Sequence, residues 1–488
     1  MTQFLHGVEI IEIDNSSRPI QTVKSAVIGL VGTAPDAALA TQATLALGSA
    51  ILNDGLAFQA VTAGRAGNGI SVELIDPETA DNVLGVVVDG HKIKVVLATD
   101  ATSVITSTAV DVKAAIEASS AAIALITTTV LGDGSEVVAP TNVTYLANGT
   151  DEAFPINTPV VIAGSRKSAE ALGTSGTLPA AIDDIFDQTG ALVIVIRAEV
   201  GATDAETQSN VVSAIEGVIA SQNETGYTPR ILVAPEFSEY DSVASELEMK
   251  AKRLKAIAYV DCSRVSTYTD AIKRTRQFSE RVEITWPWVR VFDDEGALEI
   301  DRPYSARAAG LRARVDAEKG FWESKSNKQV YGIIGLSQSV DWQHGNAECV
   351  ANILNENKVS TIIREGGFRH WGNRTCSVDP KWKFEQTRRT ADIINDSLQR
   401  EHLWAVDKST NNAYITNVTD GVNAYLRSLK KLGAIINGKC WADEELNTPE
   451  SLQNGVVFFN FDFCPPYPAE HIIFNSSINN DYLQEVFA

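Results

Sequence analysis

Histidine is the residue type best suited to acid–base catalysis or zinc binding at neutral pH, and the chain has six, at positions 6, 91, 344, 370, 402 and 471. They form no HExxH or HxH pattern, so their spacing predicts no zinc site. The sequence also lacks the GxSxG elbow that presents a hydrolase serine. A Ser/His/Asp triad assembled in space would need His344, His370 or His402 as its base, and a packed or surface histidine is the simpler interpretation of each.

A glycine-rich segment, GAIINGKC from Gly433 to Cys440, has the GxxxxGK spacing of a phosphate-binding loop. Such a loop follows a strand, opens a helix, and has Ser or Thr after the lysine to hold magnesium. Here an apolar helical pattern precedes Gly433, and Cys440 takes the place of the hydroxyl residue. We therefore expect a helix C-cap at Gly433 followed by a turn. The five cysteines contain no CxxC pair, and the sequence predicts no cofactor.

The remaining chemical signal is basic and aromatic and lies between Arg364 and Arg400. This stretch has eight basic and five acidic residues, a net charge of +3 in a chain whose net charge is −21. A solvated helix face and a contact surface explain these cations about equally well. The candidates for a contact surface are Arg369, Arg374, Lys381, Lys383, Arg388 and Arg389.

The overall charge excludes some classes of partner. Residues 1–240 have a net charge of −18 and residues 241–488 a net charge of −3. So acidic a chain is unsuited to nucleic acid, because phosphate contacts need clustered Lys and Arg. No apolar run is long enough to cross a bilayer, and the start MTQFLHGVEI lacks the features of a signal peptide, so we expect folding in a cytosol without membrane contact.

Elements that could position these residues follow from the hydrophobic patterns, and 488 residues predict two to four domains. Residues 37–150 alternate short strand patterns with Asn, Gly and Asp turns around one helix at Val110–Ser119, which is typical of a β-rich module. From Pro159 to about Ser339, apolar strands that end with VEITWPWVRV alternate with amphipathic helices, which indicates a largely parallel sheet covered on both faces. The remainder is α+β, with helices predicted over Lys383–Trp404 and Asp420–Leu432.

Both ends of the chain contain strand patterns that lack a sheet of their own. The run Val8–Ile13 has apolar residues on both faces and needs cover on both sides. Near the other end, Val456–Phe463 predicts a half-buried strand, CPPYP ends it, and His471–Ala488 follows as an extended arm. Short strands at chain ends need a host sheet to be stable.

Five motifs then become recognisable in order along the chain: HGVEIIEID, ITWPWVRV, YSARAAGLRARVDAEKGFWESKSN, EGGFRHWGNRTCSVDP and HLWAVDK. With them the chain resembles the tail sheath proteins of contractile-tailed bacteriophages, and R-type pyocin sheaths are similar. The likeness covers about residues 1–35 and 155–488. The segment 37–150 departs from the shorter family members and resembles the β-rich modules that decorate phage tail proteins.

The resemblance implies an α/β multidomain fold. Its parts are a subtilisin-like α/β middle domain with an inserted β-rich module, an α+β C-terminal domain, and extended strand arms at both termini. The implied bounds are an N-terminal linking arm (1–20), the first strand of the middle domain (21–36), the inserted outer module (37–150), the middle domain (151–345), the tube-facing and arm-accepting C-terminal domain (346–468) and a C-terminal linking arm (469–488).

The resemblance also implies a structural role and no enzymatic activity, with a hydrolase or a static virion tube protein as the alternatives. The expected partners are copies of the chain itself in six-fold rings of a helical tube, the inner tail tube protein, and the baseplate and tail terminator proteins. The protein would be assembled in the host cytoplasm, reside in the virion tail, and contract to drive the inner tube through the host envelope.

The resemblance assigns three groups of site residues. The arms would add strands to a neighbour's C-terminal domain through Val8, Ile10, Ile11, Ile13, Ile472, Ile473 and Phe474. The arm-accepting strand would present Val457, Phe459, Phe461 and Phe463. The inner-tube contact would consist of Lys381, Lys383, Arg388 and Arg389.

Overall fold

A computed structural model describes residues 20–293 and 296–487, and the chain divides into two compact units. The first unit comprises residues up to 34, residues 156–169, and the chain from residue 175 onward. The second unit comprises residues 35–155 and 170–174.

Strands and helices alternate along the described residues. The strands are β1 (Val27–Thr33), β2 (Thr44–Leu47), β3 (Gly55–Ala60), β4 (Ser71–Ile75), β5 (Gly85–Asp89), β6 (Lys92–Val96), β7 (Ile126–Leu131), β8 (Thr141–Tyr145), β9 (Pro159–Ala163), β10 (Leu192–Ala198), β11 (Ile231–Val233), β12 (Ile257–Asp261), β13 (Val282–Thr285), β14 (Val289–Asp293), β15 (Leu298–Arg302), β16 (Gly335–Leu336), β17 (Val359–Arg364), β18 (Phe368–Trp371), β19 (Asn437–Ala442) and β20 (Phe459–Cys464). The α-helices are α1 (Ala109–Glu117), α2 (Ser120–Ile123), α3 (Thr177–Phe186), α4 (Asp204–Glu216), α5 (Ser221–Thr225), α6 (Asp241–Leu254), α7 (Tyr268–Arg274), α8 (Ser305–Glu318), α9 (Val350–Glu356), α10 (Glu385–Glu401), α11 (Asn412–Leu432) and α12 (Pro449–Gln453).

The first unit is built on an eight-stranded sheet in the order β18-β17-β13-β12-β11-β1-β10-β9. Its six inner strands run parallel, and the edge strands β9 and β18 run antiparallel to their neighbours. Every residue of β1 and β12 is buried, as continuous apolar runs require when helices cover both faces. The predicted largely parallel sheet is therefore confirmed.

Helices pack on both faces of this sheet. On one face, apolar residues of α4 and α6 such as Val211 and Leu247 join Val31 of β1 in one core. Because consecutive strand residues point to opposite faces, the next residue, Gly32, faces the other side. A Cβ at Gly32 would clash with Thr177 and touch Leu178, so this glycine allows α3 to lie close to the sheet. Helix α8 packs against α3 and the central strands on that side.

The predicted strand VEITWPWVRV is two strands in different sheets. Its first half is β13 in the large sheet, and its second half is β14 in a small sheet with β15 and β16. Pro287 lies between them, and proline has no N–H with which to continue a strand ladder. The chain therefore changes sheets at this proline.

The large sheet also crosses the expected domain boundary at residue 345. Strand β17 pairs in parallel with β13 through Ile284 and Val359, and β18 pairs with β17. Residues 359–371 thus lie in the same sheet as the strands of the expected middle domain. Register between distant strands is not visible in a local sequence pattern, so such a pattern does not show that β17 and β18 join this sheet.

The second unit is rich in strands, with a three-stranded sheet (β2-β3-β7) and a four-stranded sheet (β5-β6-β4-β8). Leu56, Val72 and Ile93 from these sheets share one core with Val112 and Ile116 of α1. Helix α1 begins at a capping box in which Thr108 and Asp111 satisfy each other's backbone N–H groups.

No helix in the described ranges is long and apolar enough to cross a membrane. The same residues contain no group of three or more His, Cys, Asp or Glu side chains placed to hold a metal ion.

Candidate assembly site

The C-terminal part of the first unit contains a two-stranded sheet resting on a helix. Strands β19 and β20 are antiparallel, with Asn437 opposite Cys464 and Ala442 opposite Phe459. Helix α11 precedes them and ends at Gly433, whose φ of 82° is the left-handed conformation of a C-cap. The predicted C-cap is confirmed, and the GxxxxGK spacing spans a helix end and a strand.

One face of β20 covers an apolar core. Phe459, Phe461 and Phe463 are half-buried and pack against a cluster that contains Tyr425 and Leu426 of α11. Val457 is also half-buried, but it lies before the strand, which begins three residues later than the sequence pattern predicts. The N–H of the intervening Phe458 donates to the side chain of Asn447 at 2.8 Å rather than to a partner strand.

The two strands have open edges. In the part of the chain that the structure describes, no other strand pairs with the outer side of β19 or β20. A two-stranded sheet is marginally stable by itself, and an unpaired edge presents a row of backbone donors and acceptors that another strand can use. A strand with an open edge is therefore present at the predicted position.

The chain after β20 is extended and exposed. Residues 465–479 form neither helix nor strand. The three predicted arm residues Ile472, Ile473 and Phe474 are 65%, 70% and 90% exposed, and the following Ile478, Tyr482 and Leu483 are exposed as well. So many exposed apolar side chains in one segment are typical of a surface that another chain covers.

The root of this segment is fixed by an ion-pair clamp at Glu470. The guanidinium of Arg374 donates two hydrogen bonds to the Glu470 carboxylate, each 2.7 Å long, and Lys383 donates a third at 3.2 Å. Tyr467 adds an edge contact with Phe384. Burial raises the pKa of Glu470, but Arg374 and then Lys383 outweigh it and hold this pKa below its ordinary value. The segment therefore leaves the unit from a fixed point.

At the other end, the predicted arm residues Val8, Ile10, Ile11 and Ile13 lie outside the described residues. The described chain begins with Ile20, which packs with the buried Val23 against the same core that supports β20. The Val23 N–H donates to Ser397 Oγ of α10 at 3.1 Å. Both terminal segments thus meet the unit around α10, α11 and β20.

The four predicted inner-tube cations are in different environments. Arg389 is 3% exposed and makes two hydrogen bonds of 2.6 and 2.8 Å to the buried Asp316. Arg388 stacks on Trp382 and pairs with Asp392. Lys383 belongs to the Glu470 clamp, and Lys381 is exposed with no ion-pair partner among the described residues.

These positions correct the prediction of a four-residue contact surface. Arg389 is inside the unit and cannot contact a tube, and Arg388 and Lys383 already have partners within the chain. The physical reason is that α10 buries Glu385, Arg389 and Asp392, and carboxylates within the unit pair with the cations nearby. Of the four, Lys381 alone is exposed without an ion-pair partner among the described residues, and its ammonium lies 4.9 Å from the ring centre of Trp382.

Several charged side chains around α10 are buried, which the sequence analysis did not predict. Lys325 is fully buried between the carboxylates of Glu283 at 2.5 Å and Glu385 at 2.7 Å, and its ammonium lies over the ring of Tyr259. Arg281 pairs with Asp392 in the same region. The signal that could have found this network is α8, an Ala-rich helix that is buried from Ser305 to Val315 and contains three arginines, Arg307, Arg312 and Arg314.

The electrostatics of this network are balanced within the chain. Burial raises the pKa of Glu385, but Lys325, then Arg312 and Arg389, outweigh it and hold that pKa well below its ordinary value. Asp316 is lowered in the same way by Arg389 and Arg312, so both carboxylates are ionised. A buried charge stabilises a fold only when it is paired, and each of these pairs joins α10 to the central sheet or α8.

The candidate catalytic histidines have structural partners. The ring of His370 is fully buried and shares a hydrogen bond of 2.7 Å with the Tyr304 hydroxyl. It also faces Glu283, and burial lowers the pKa of His370. His402 contacts the backbone oxygen of Leu398, and His344 packs edge-on against Trp342. None of these contacts pairs a histidine with a serine or cysteine nucleophile.

Two family models match the chain. The model described as the phage tail sheath protein central domain matches residues 188–376, and the one described as the phage tail sheath C-terminal domain matches residues 377–479. Together they cover more than half of the sequence. The chain belongs to the phage tail sheath family. The predicted resemblance is confirmed, and the chain is a structural sheath subunit and not an enzyme.

The chain is also similar in sequence to individual tail sheath proteins. It is 35% identical to the tail sheath protein of Escherichia phage P2 over 68% of this chain and 88% of that protein. It is 32% identical to the tail sheath protein of Burkholderia phage BcepMu over 98% of both chains. An alignment of that extent includes residues 35–155, so the second unit has a counterpart in at least one family member.

Solved structures share the fold at lower identity. The helical sheath of the anti-feeding prophage in its contracted state matches with a TM-score of 0.54 and 20% identity, over 66% of this chain and 89% of that one. The contracted sheath complex of the extracellular contractile injection system PVC matches with a TM-score of 0.54 and 17% identity, over 68% and 89%. The mixed α/β multidomain architecture of this sheath subunit is therefore that of contractile sheaths.

Proposed function

We propose that this sheath subunit polymerises into a helical tube by strand exchange, in which terminal segments of one subunit complete the β19–β20 sheet of a neighbour. One observation carries the proposal: the same chain has a sheet with two open edges and a C-terminal segment whose apolar residues Ile472, Ile473 and Phe474 are exposed. An extended segment that pairs with an open edge satisfies its backbone groups and buries its alternate side chains.

The N-terminal arm strand is proposed to occupy the other edge through Val8, Ile10, Ile11 and Ile13. Support comes from the entry point of the chain, since Ile20 and Val23 pack on the core beneath β20. Two edges and two arms would give each subunit matched connections to its neighbours.

Strand exchange of this kind produces a tube. A segment that docks on a different surface of the next copy makes a heterologous contact, which repeats as a ring or an open helix. We propose six-fold rings stacked helically around the inner tail tube. Backbone ladders between arms and domains would tolerate rigid rotation of the subunits, so contraction is release from a trapped state and needs no bound nucleotide.

The partners beyond the chain itself are proposed to be the inner tail tube protein, the baseplate and the tail terminator. Lys381 is the remaining candidate for the tube contact, because it is exposed and unpaired in the described part of the unit. The net charge of −21 supports a role without nucleic acid. We propose assembly in the host cytoplasm, with no membrane partner, and residence in the virion tail.

We also propose that the large sheet has subtilisin-like topology without catalytic residues. Support comes from its six parallel inner strands with helices on both faces. On this reading residues 35–155 are an outer module inserted after β1, and the tube-facing domain begins near α10 rather than at residue 346.

The test is electron microscopy of purified protein. Full-length chain is expected to form tubes without cofactor, and deletion of His471–Ala488 is expected to leave a folded subunit that forms none. Ile473→Pro should have the same effect because proline removes a ladder N–H, whereas the matched control Ile473→Val should assemble normally. Ile473 is 70% exposed, so both variants should keep the wild-type unfolding midpoint. Normal tubes from the deletion variant would overturn the proposal.

The same preparation separates a contractile sheath from a static virion tube. A contractile sheath is expected to appear in two geometries, one long and narrow and one short and wide, when tubes are treated with mild denaturant. One invariant length and diameter under all conditions would favour the static tube.

A further inference from the structure

A cleft of about 230 Å³ lies where the described chain begins. Its walls are formed by the first described residues of the chain, by the turn before β11 and by the end of α10. The lining residues include Val23, Lys24, Tyr227, Arg230 and Arg400.

Two exposed cations at this cleft have no acidic partner among the described residues. Lys24 lies with its ammonium 4.6 Å from the ring centre of Tyr227. Arg400 donates to the side-chain oxygen of Gln222 at 3.2 Å. Neither forms an ion pair within the part of the chain that the structure describes, although most cations around α10 do.

A third cation has an unused donor. Arg230 is 5% exposed, and its terminal nitrogens donate to the backbone oxygen of Leu254 and to Asp396. Its Nε is buried and has no hydrogen-bond partner. A buried donor without a partner is unfavourable, so this N–H favours an acceptor that comes within its reach.

The chemistry of an occupant follows from these groups. Three cations face a cleft in which Glu401 is the only acidic residue among the described lining residues. Two of them are guanidinium groups, which bind carboxylates through paired hydrogen bonds. Val23 and Val27 add an apolar wall. The cleft therefore fits a carboxylate on a segment that also carries apolar side chains.

We propose that this cleft binds the acidic end of the C-terminal segment of a neighbouring copy, through Asp481 or Glu485. Residues 471–487 contain these two carboxylates and no Lys or Arg, together with the exposed apolar Leu483 and Val486. The carboxylates follow the strand-forming residues Ile472–Phe474 by about ten positions, so the cleft is a second anchor beyond the strand. This inference rests on the proposed strand exchange and adds its partner surface.

Charge reversal on either side tests the pairing. Lys24→Glu with Arg400→Glu is expected to raise the subunit concentration needed for tube formation by about tenfold or more, and Asp481→Lys with Glu485→Lys should do the same. The combination of all four changes should return that concentration to within about threefold of wild type, because opposite charges face each other again. The matched control, Lys319→Glu with Lys431→Glu, changes the net charge equally at exposed positions outside the cleft and should shift it less than about twofold.

A zero-length carbodiimide cross-link then identifies the occupant in wild-type tubes. Tubes assembled from a mixture of isotope-labelled and unlabelled chains are expected to yield Lys24 joined to Asp481 or Glu485. Some of these products should join a labelled peptide to an unlabelled one, which shows that the two residues come from different chains. Joining to Glu9, Glu12 or Asp14, or joining within one chain only, would overturn the assignment. Wild type that forms no tubes at all would refute strand exchange itself, whereas tubes unaffected by the cleft reversal would refute only the cleft.

Discussion

Replacing Lys325 by Met should be among the most destabilising single changes in this protein. The ammonium of Lys325 is fully buried and lies 2.5 Å from Glu283 and 2.7 Å from Glu385, whose side chains are at most 1% exposed. Met fills similar space but leaves two buried carboxylates facing each other. Removing one member of a buried ion pair costs about 3–5 kcal/mol, and a loss of about 4 kcal/mol is expected here.

The two carboxylates should contribute unequally to that loss. Glu385 keeps Arg312 at 4.0 Å and a hydrogen bond from the Tyr259 hydroxyl, whereas the partner that remains for Glu283 among the described residues is the ring of His370 at 3.5 Å, whose pKa is lowered by burial. Adding Glu283→Gln to Lys325→Met should therefore recover more stability than adding Glu385→Gln. The difference between the two double variants is the measure of how the charges are shared.

Guanidinium unfolding followed by tryptophan fluorescence measures the effect on dilute full-length chain. With a slope on the order of 4 kcal/mol per molar denaturant, the midpoint of Lys325→Met should fall by about 1 M. The control Lys319→Met removes an exposed lysine and should change stability by less than about 0.5 kcal/mol. A Lys325→Met variant that loses less than about 1 kcal/mol, or double variants that recover nothing, would refute the electrostatic account.

Two further predictions concern ionised carboxylates. The pKa of Glu385 is lowered in the folded chain relative to its ordinary value of about 4.5, so its ionised form stabilises the fold above that pH and the contribution is lost as the pH falls. The stability advantage of wild type over Glu385→Gln should thus be constant near neutrality and shrink below about pH 4.5; an advantage that grew in acid would contradict the pairing. Glu470→Gln removes the carboxylate that holds Arg374 and Lys383, so trypsin should cleave after these two residues a few-fold faster than in wild type. The free energy of unfolding should change by less than about 1 kcal/mol, because the clamp is partly exposed. Equal cleavage rates would show that Glu470 does not fix the segment.

Local pattern was sufficient for most elements of the fold. The apolar runs of β1, β10 and β12 and the stripe of α11 are set by which residues can be buried, and Gly433 ends its helix because a left-handed backbone favours glycine. The start of β20 was misplaced because the N–H of Phe458 binds the side chain of Asn447, eleven residues away. Pro287 in the TWPW motif indicates that the predicted strand is interrupted, because proline has no N–H for a strand ladder.

The tube-contact residues show where sequence reasoning ended. Arg388 and Arg389 are adjacent cations on an amphipathic helix, and the sequence cannot say which is exposed. Arg389 is buried because it pairs with Asp316, which is 73 residues earlier in the chain. Lys383 is hydrogen-bonded to Glu470, which is 87 residues later. Coulomb pairing depends on distances of a few ångströms, and only the folded chain sets those distances.

The sequence by itself determined the family, the parallel sheet and the presence of unpaired strand patterns near both ends, since these follow from residue type and short-range periodicity. Tertiary structure decided which strands share a sheet, which charges are neutralised inside the unit, and which remain for a partner. The reason is that burial and pairing are properties of contacts between distant residues. The open edges of β19 and β20 and the unpaired cations Lys24 and Arg400 became visible only when those contacts were in place.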